Sequence, residues 1–406
     1  MKDFRFVHVA DLHLGAYRDR AMTALNLKTF VLAIEKILSL KPDFVLFAGD
    51  IFNSPFPSLD LVTAVVQELM KLKNANIPLY VIAGSHDYSD MRKSFLHLLE
   101  SADVFTLVSR TNEFGVPLHL NERTTPVRLA GIDGKKNGLD KSAYEKLSLS
   151  GDFGAEIFSI FLFHTTLDDV KPDFLKAIST PLSSAYLPKG YDYYAGGHVH
   201  TFLEKNVGKG LLTYPGPLFP NSFSELKREK PSFLLCSVAM PSKQLSYKRM
   251  FLETYSTEHI FLEFERLRPL EILEKLELLL AEKDLKDKLV LLELRGIVEG
   301  KISDIRIHSI LSLCYEKSAY HVLKNTSKLT SSQFVLSQEN FSSLSDADSL
   351  EEDLLTLALQ EERSPEQARE LLHKLLKLDL SKHEDEKVVA YSERVHDAIA
   401  KILSER

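Results

Sequence analysis

The chain has 406 residues, a formal net charge of −7, 44% apolar residues and only two cysteines. That length suits one large core domain plus one or two small ones. Cys236 and Cys314 are too few and too isolated for a disulfide framework or a zinc ribbon, and no apolar stretch approaches the roughly 20 residues that span a bilayer. The opening MKDFRFVHVAD begins a strand almost at once, without the layout of a signal peptide. A soluble, cytoplasmic protein in a reducing compartment, with no membrane association, is expected.

In chain order, five apolar runs read as buried strands, and each ends in a short polar motif. FRFVHVA leads into Asp11-Leu12-His13, and DFVLFA into Gly49-Asp50. PLYVIA leads into Gly84-Ser85-His86-Asp87, IFSIFLF into His164, and YDYYAG into Gly197-His198-Val199-His200. Between the first three lie two amphipathic stripes: Leu27, Phe30, Val31, Ile34, Ile37 and Leu38, then Leu61, Val62, Val65, Leu69 and Leu72. This β-α-β-α-β opening predicts an α/β core with helices packed on a sheet. Segments 230–239 and 244–252 are strand-like without intervening helices, which predicts a second sheet. A further β-α-β-α-β pattern runs over 255–325, its first helix opening on Pro269 as a first-turn proline should. It is either a small capping domain or an extension of the core. Residues 326–346, rich in Ser, Thr, Asn and Gln, read as a linker, and 347–406 as a helical tail with candidates near 347–361, 365–379 and 384–404.

Strand ends that converge on one sheet edge can gather distant side chains into one cluster. Asp and His are ligands that borderline divalent metals accept, and a carboxylate, unlike an imidazole, can bridge two cations. Any one of the five motifs alone is weak, because Asp-x-His or Gly-Asp is common by chance. All five, each following a strand, point to a metal-dependent phosphoesterase site.

The pattern resembles the calcineurin-like metallophosphoesterases, and within them the SbcD-type nuclease subunits of double-strand-break repair complexes. FVHVADLHLG, FAGDIFNSPFPS, IAGSHDYSD and YPGPLFPNSFSE carry the resemblance. It implies a layered two-sheet sandwich flanked by helices over 1–254, with a small α+β capping domain over 255–325. It implies two divalent ions, Mn2+ foremost, with Asp50 bridging them, Asp11, His13 and His200 completing one, and His164 and His198 the other. Ser85 stands where the family has asparagine, so it marks either a variant second-metal ligand or a degenerate site. His86 is then a general acid or hydrogen-bond donor to the leaving oxygen. Asp87 either orients that imidazole or forms a turn. Asn53, three residues after Gly-Asp where many relatives have histidine, and Lys135, Lys136, Lys227 and Arg228 are candidate DNA contacts, although surface lysines are more often merely solvating.

The function so implied is a manganese-dependent DNA nuclease, the subunit of a break-repair complex with an SbcC-type SMC-like ATPase, acting as a homodimer. A charge of −7 argues against a nucleic-acid binder at first sight, but two divalent ions add four positive charges where a phosphodiester must sit. Two alternatives remain at this level: a small-molecule phosphatase or cyclic-nucleotide phosphodiesterase, and a catalytically weakened scaffold for DNA or the ATPase. In the tail, Ala368, Leu371, Leu375 and Leu378, then Val388, Tyr391, Val395, Ala398 and Ile402, form helical seams. They suit docking of the ATPase or packing on the core.

Overall fold

The computed structural model describes residues 2–87, 94–111, 118–135, 140–145, 147, 150–172, 182–332, 374, 378, 394–399 and 401–402. In chain order its elements are β1 (Phe4–Val9), α1 (Arg20–Leu40), β2 (Phe44–Ala48), α2 (Leu59–Asn74), β3 (Leu79–Ile82), α3 (Phe95–Ser101), β4 (Thr106–Leu107), β5 (Leu120–Asn121), β6 (Val127–Gly131), α4 (Asp140–Glu145) and β7 (Phe158–His164). Then follow β8 (Tyr193–Gly197), β9 (Phe202–Val207), β10 (Gly210–Pro215), α5 (Phe223–Arg228), β11 (Ser232–Ala239), β12 (Gln244–Phe251), β13 (Thr257–Leu267), α6 (Pro269–Ala281), β14 (Leu289–Val298), α7 (Ile307–Glu316) and β15 (His321–Ser331).

Two mixed six-stranded sheets, ordered β12-β11-β1-β2-β3-β4 and β5-β6-β7-β8-β10-β9, make the expected sandwich. Side chains alternate between the two faces of a strand, and β1 and β2 use both. Phe6, Phe44 and Leu46 pack with Leu129, Ile160, Leu162 and Tyr193 between the sheets. Val7, Val9, Val45 and Phe47 pack on the other face with Phe30, Ile34 and Ile37 of α1 and Val65, Leu69 and Leu72 of α2. Burial on both faces explains why these strands read as continuous apolar runs. Each fully buried Phe or Leu contributes about 1.5–3 kcal/mol, and the Phe6 and Phe44 rings stack with centroids 5.2 Å apart. Helix α1 starts where the Asp19 side chain accepts from the Ala21 and Met22 amides, and α2 starts on Ser58. The buried face of α1 is broader than the sequence stripe, since it also takes Met22, Leu25 and Ala33.

Strands β11 and β12 do not found the second sheet, as their sequence suggested. β11 pairs antiparallel with β1, and β12 with β11, so both extend the first sheet. The second sheet is built from β5 to β10. β13, β14 and β15 form a small third sheet. β15 runs to Ser331 and so takes in the first residues of the expected linker, whose remainder lies almost wholly outside the described residues. The tail seams lie outside them too, apart from Leu378 and the helical turns at 394–399 and 401–402, which coincide with the third helix candidate. The chain divides into two compact units, Met1–Glu263 with Leu273–Arg295 and Arg306–Lys328, and Phe264–Ile272 with Gly296–Ile305 and Leu329–Arg406. No described helix is long and apolar enough to cross a membrane.

Candidate metal centre

β1, β2 and β3 run parallel in one sheet, and β7 and β8 run parallel in the other. All five motifs therefore leave carboxyl ends of parallel strands, the edge where ligands of open α/β sheets bind. The two sheets are tied together there: the His198 amide donates to Asp11 Oδ1 at 2.9 Å, and His164 Nδ1 lies 2.8 Å from the Ala48 carbonyl. The backbone turns sharply to present these side chains. Asp11, His13, Asp50 and His198 all have positive φ, at 54°, 43°, 52° and 88°. For a residue with a Cβ that conformation is strained, and strain of this kind clusters at functional sites. Two glycines make room for the His164 ring. Gly49 has φ 90°, and a Cβ there would sit 2.3 Å from His164 Nδ1. A Cβ on Gly197 would lie 1.9 Å from the Ala48 carbonyl oxygen.

Asp50 is the hub. Its Oδ2 lies 3.1 Å from His164 Nε2, 3.5 Å from His13 Nε2 and 3.4 Å from the Ser85 hydroxyl, while Oδ1 accepts the His86 amide at 2.7 Å. Among the described residues, three Asp/His trios have ligand atoms close enough to hold an ion: Asp11, His13 and His200; His13, Asp50 and His86; and Asp50, His164 and His198. Asp11, His13, Asp50 and His164 are buried, His200 and His86 are partly buried, and His198 is exposed. The first and third trios coincide with the two ligand sets expected around Asp50. The second adds His86, which was expected outside the ligand set. A cavity of about 270 Å³ opens on the cluster, lined by His13, Asp50, His86, His198 and His200 together with Asn221, Glu225 and Arg228.

The donor set fits divalent cations on its own chemistry. The Ala48 carbonyl can only accept, so His164 Nδ1 carries the hydrogen and a neutral ring turns the Nε2 lone pair toward Asp50. Lone pair facing carboxylate is repulsive unless a positive charge lies between them. Burial lowers the affinity of His164 for a proton, but Asp50 and Asp11 outweigh it and push its pKa up to about 10. Burial would likewise raise the Asp50 carboxyl, yet His164 and His13 hold it well below the usual carboxylate range. A shared proton is thus the monovalent stand-in for a cation. Asp11 Oδ2 is buried without a hydrogen-bond partner and His164 Nε2 has the Asp50 carboxylate beside it, which is the state of ligand atoms aimed at an ion.

Three readings of individual residues change. Asp87 does not touch the His86 imidazole: its carboxylate accepts the backbone amides of Ile51, Phe52 and Gly84 at 3.0, 2.9 and 3.1 Å, stitching the loops after β2 and β3 together. Burial and the neighbouring Asp50 push its pKa up to about 7. The partner of His86 is instead the Asn53 backbone carbonyl, 3.1 Å from Nδ1. Lys227 is engaged away from the site by Glu293, at 2.7 Å, whereas Arg228 lines the cavity. Lys135 is described and half-buried, and Lys136 lies outside the described residues. Sequence reasoning missed Glu225, whose Oε2 lies 3.0 Å from His200 Nδ1. Its signal was the Ser222-x-x-Glu225 capping pattern at the start of α5.

Residues 4–202, just under half of the chain, match the family model for calcineurin-like phosphoesterases. The DNA double-strand break repair protein Mre11 of Methanococcus maripaludis is 32% identical over 235 residues, covering 56% of this chain and 60% of that protein. Mre11 of Methanocaldococcus jannaschii is 28% identical over 251 residues, covering 57% of this chain and 61% of that one. The chain thus spans about three fifths of the length of these curated relatives. Among solved structures, a dimetal phosphatase from Danio rerio aligns at a TM-score of 0.40 and 11% identity over 61% of this chain and 95% of that one, too loosely to decide anything.

Proposed function

We propose that this chain is a manganese-dependent DNA nuclease, hydrolysing phosphodiesters at a two-metal site as one subunit of a break-repair complex. The observation that carries the reading is the buried Asp50, which shares one trio with His164 and His198 and another with His13 and His86. Asp11, His13 and His200 would hold one ion and His164 and His198 the other, with Asp50 between them and the Ser85 hydroxyl on the second side. Bound there, divalent cations supply neutralising charge and Lewis acidity to the phosphoryl oxygens.

The protein's own residues do the rest. The Asn53 carbonyl accepts the Nδ1 hydrogen of His86, so the neutral ring has only a lone pair at Nε2. To donate a proton to the leaving oxygen His86 must carry a second proton, and to accept one it needs only the neutral form. Arg228, on the cavity wall, offers a guanidinium suited to a phosphate. Asp87 fixes the backbone carrying Asp50 and His86, so both keep their aim. The Mre11 relatives, named for DNA double-strand break repair, support DNA as the substrate; the proposal adds an SMC-like ATPase docked by the C-terminal helices and a homodimeric nuclease. Incubation with MnCl2 and end-labelled duplex DNA, beside a panel of phosphomonoesters and cyclic nucleotides, tests this. Cleavage of DNA that stops on chelation is expected. Turnover of a small phosphoester with DNA left intact would replace the nuclease by a phosphatase.

A further inference from the structure

We propose that Glu225 is a positioning residue that fixes His200 with Nε2 turned to the metal site, an inference that rests on the two-metal reading. Three of the site's histidines have Nδ1 held by an oxygen. His164 uses the Ala48 carbonyl and His86 the Asn53 carbonyl, whereas His200 uses the Glu225 carboxylate at 3.0 Å. The first two anchors are backbone and survive any side-chain change; the third does not. A carboxylate can only accept, so His200 Nδ1 bears the hydrogen and Nε2 keeps the lone pair a metal needs. Nε2 lies 3.8 Å from Asp11 Oδ1 and 3.0 Å from His13 Nε2, within the first ligand trio. Such a partner also makes the imidazole a better donor.

Glu225 is itself held firmly enough to act as a fixed point. The same Oε2 accepts the Asn221 amide at 2.9 Å, and the Glu225 amide donates to the Ser222 hydroxyl at 3.3 Å. The next residue, Leu226, is 3% exposed and packs with Met22, Leu25 and Phe219, while Lys227 pairs with Glu293 at 2.7 Å. Leu226 and Lys227 therefore anchor α5 away from the metal site, while Glu225 and Arg228 line its cavity. His200, by contrast, lies outside any helix or strand. Its ring orientation depends on what its two nitrogens touch.

The test is calorimetric titration of the full chain with MnCl2, in wild type, Glu225→Ala, Glu225→Gln, His200→Ala and the Glu225→Ala/His200→Ala double variant. Glu225→Ala is expected to weaken one of two sites by about 10- to 100-fold. Glu225→Gln should stay close to wild type. The Asn221 amide needs an acceptor where Oε2 now sits, so it holds the Gln carbonyl there, facing His200 Nδ1. In the His200→Ala background, Glu225→Ala should cost nothing further, because Glu225 acts through that ring. Should Glu225→Ala fail to fold, Glu225→Asp is one bond too short to serve both Asn221 and His200, and the same loss is expected. Unchanged affinities, an equal loss without His200, or Gln falling with Ala would each overturn the assignment while two wild-type sites keep the two-metal reading. Fewer than two manganese ions on wild type would overturn both.

Discussion

Asp50→Asn is the substitution that reaches deepest into this site. The amide is nearly isosteric, and its carbonyl can still accept the His86 amide that Oδ1 accepts now at 2.7 Å, so the loop geometry should hold. What disappears is one negative charge between two ligand sets, 3.1 Å from His164 Nε2 and 3.5 Å from His13 Nε2. At an effective dielectric of about 20, unit charges about 4 Å apart interact by about 4 kcal/mol. Even half of that, after relaxation and solvent screening, is about 2 kcal/mol, more than a tenfold change for each unit of charge on each ion. Two divalent ions facing each other without the bridge should therefore lose affinity by about a hundredfold or more for at least one site. Turnover should vanish with it. Manganese titration by calorimetry, a nuclease assay and a melting curve in chelator read the three consequences. A variant that melts like wild type, binds two ions at near-wild-type affinity and still cleaves would refute the bridging role.

His86→Ala should lower turnover by about 100-fold or more, as removal of a general acid does, while metal analysis still finds both ions; loss of one ion would move His86 into the ligand set, as its trio with His13 and Asp50 allows. Ser85→Asn should tighten the second site, because the longer side chain reaches past the hydroxyl that now sits 3.4 Å from Asp50; weaker binding would mean that the backbone has adapted to serine. Metal binding should release about one proton at pH 7.5, since His164, pushed up to about 10, is protonated there in the metal-free protein and must lose that proton to ligate. The sign follows: the His164–Asp50 pair contributes stability to the metal-free fold below about pH 6.5, and that stability is lost as pH rises toward 10, while manganese affinity rises over the same window. Calorimetry in buffers of different ionisation enthalpy measures the release, and none detected would contradict it. Truncation after about Ser345 should abolish co-purification with the SMC-like ATPase and leave manganese-dependent cleavage intact; an insoluble core would instead make the tail part of the fold.

The ligand cluster was legible in the sequence because each motif is local: a few residues at the end of a strand that announces itself by continuous apolarity. Once strand ends converge, Asp11, Asp50, His164 and His200 have nowhere to go but together. Partnerships made across space left weaker marks. Asp87 follows His86 directly and invites a pairing between them, yet its carboxylate serves three backbone amides from two loops, and no sequence pattern records a backbone donor. Glu225 sits 25 residues after His200 and is visible only as a helix-capping glutamate, whose second use depends on where α5 lands. The strand character of 232–239 was plain, but not its sheet. Pairing with β1 rather than founding a new sheet is decided by which strand edge is open, a property of topology and not of the segment itself.

The most direct measurement is anomalous diffraction at the manganese edge from crystals of the full chain grown with MnCl2. Two peaks are expected, one among Asp11, His13 and His200 and one beside His164 and His198, with Asp50 contacting both. A single peak, or two that do not share Asp50, would contradict the two-metal account.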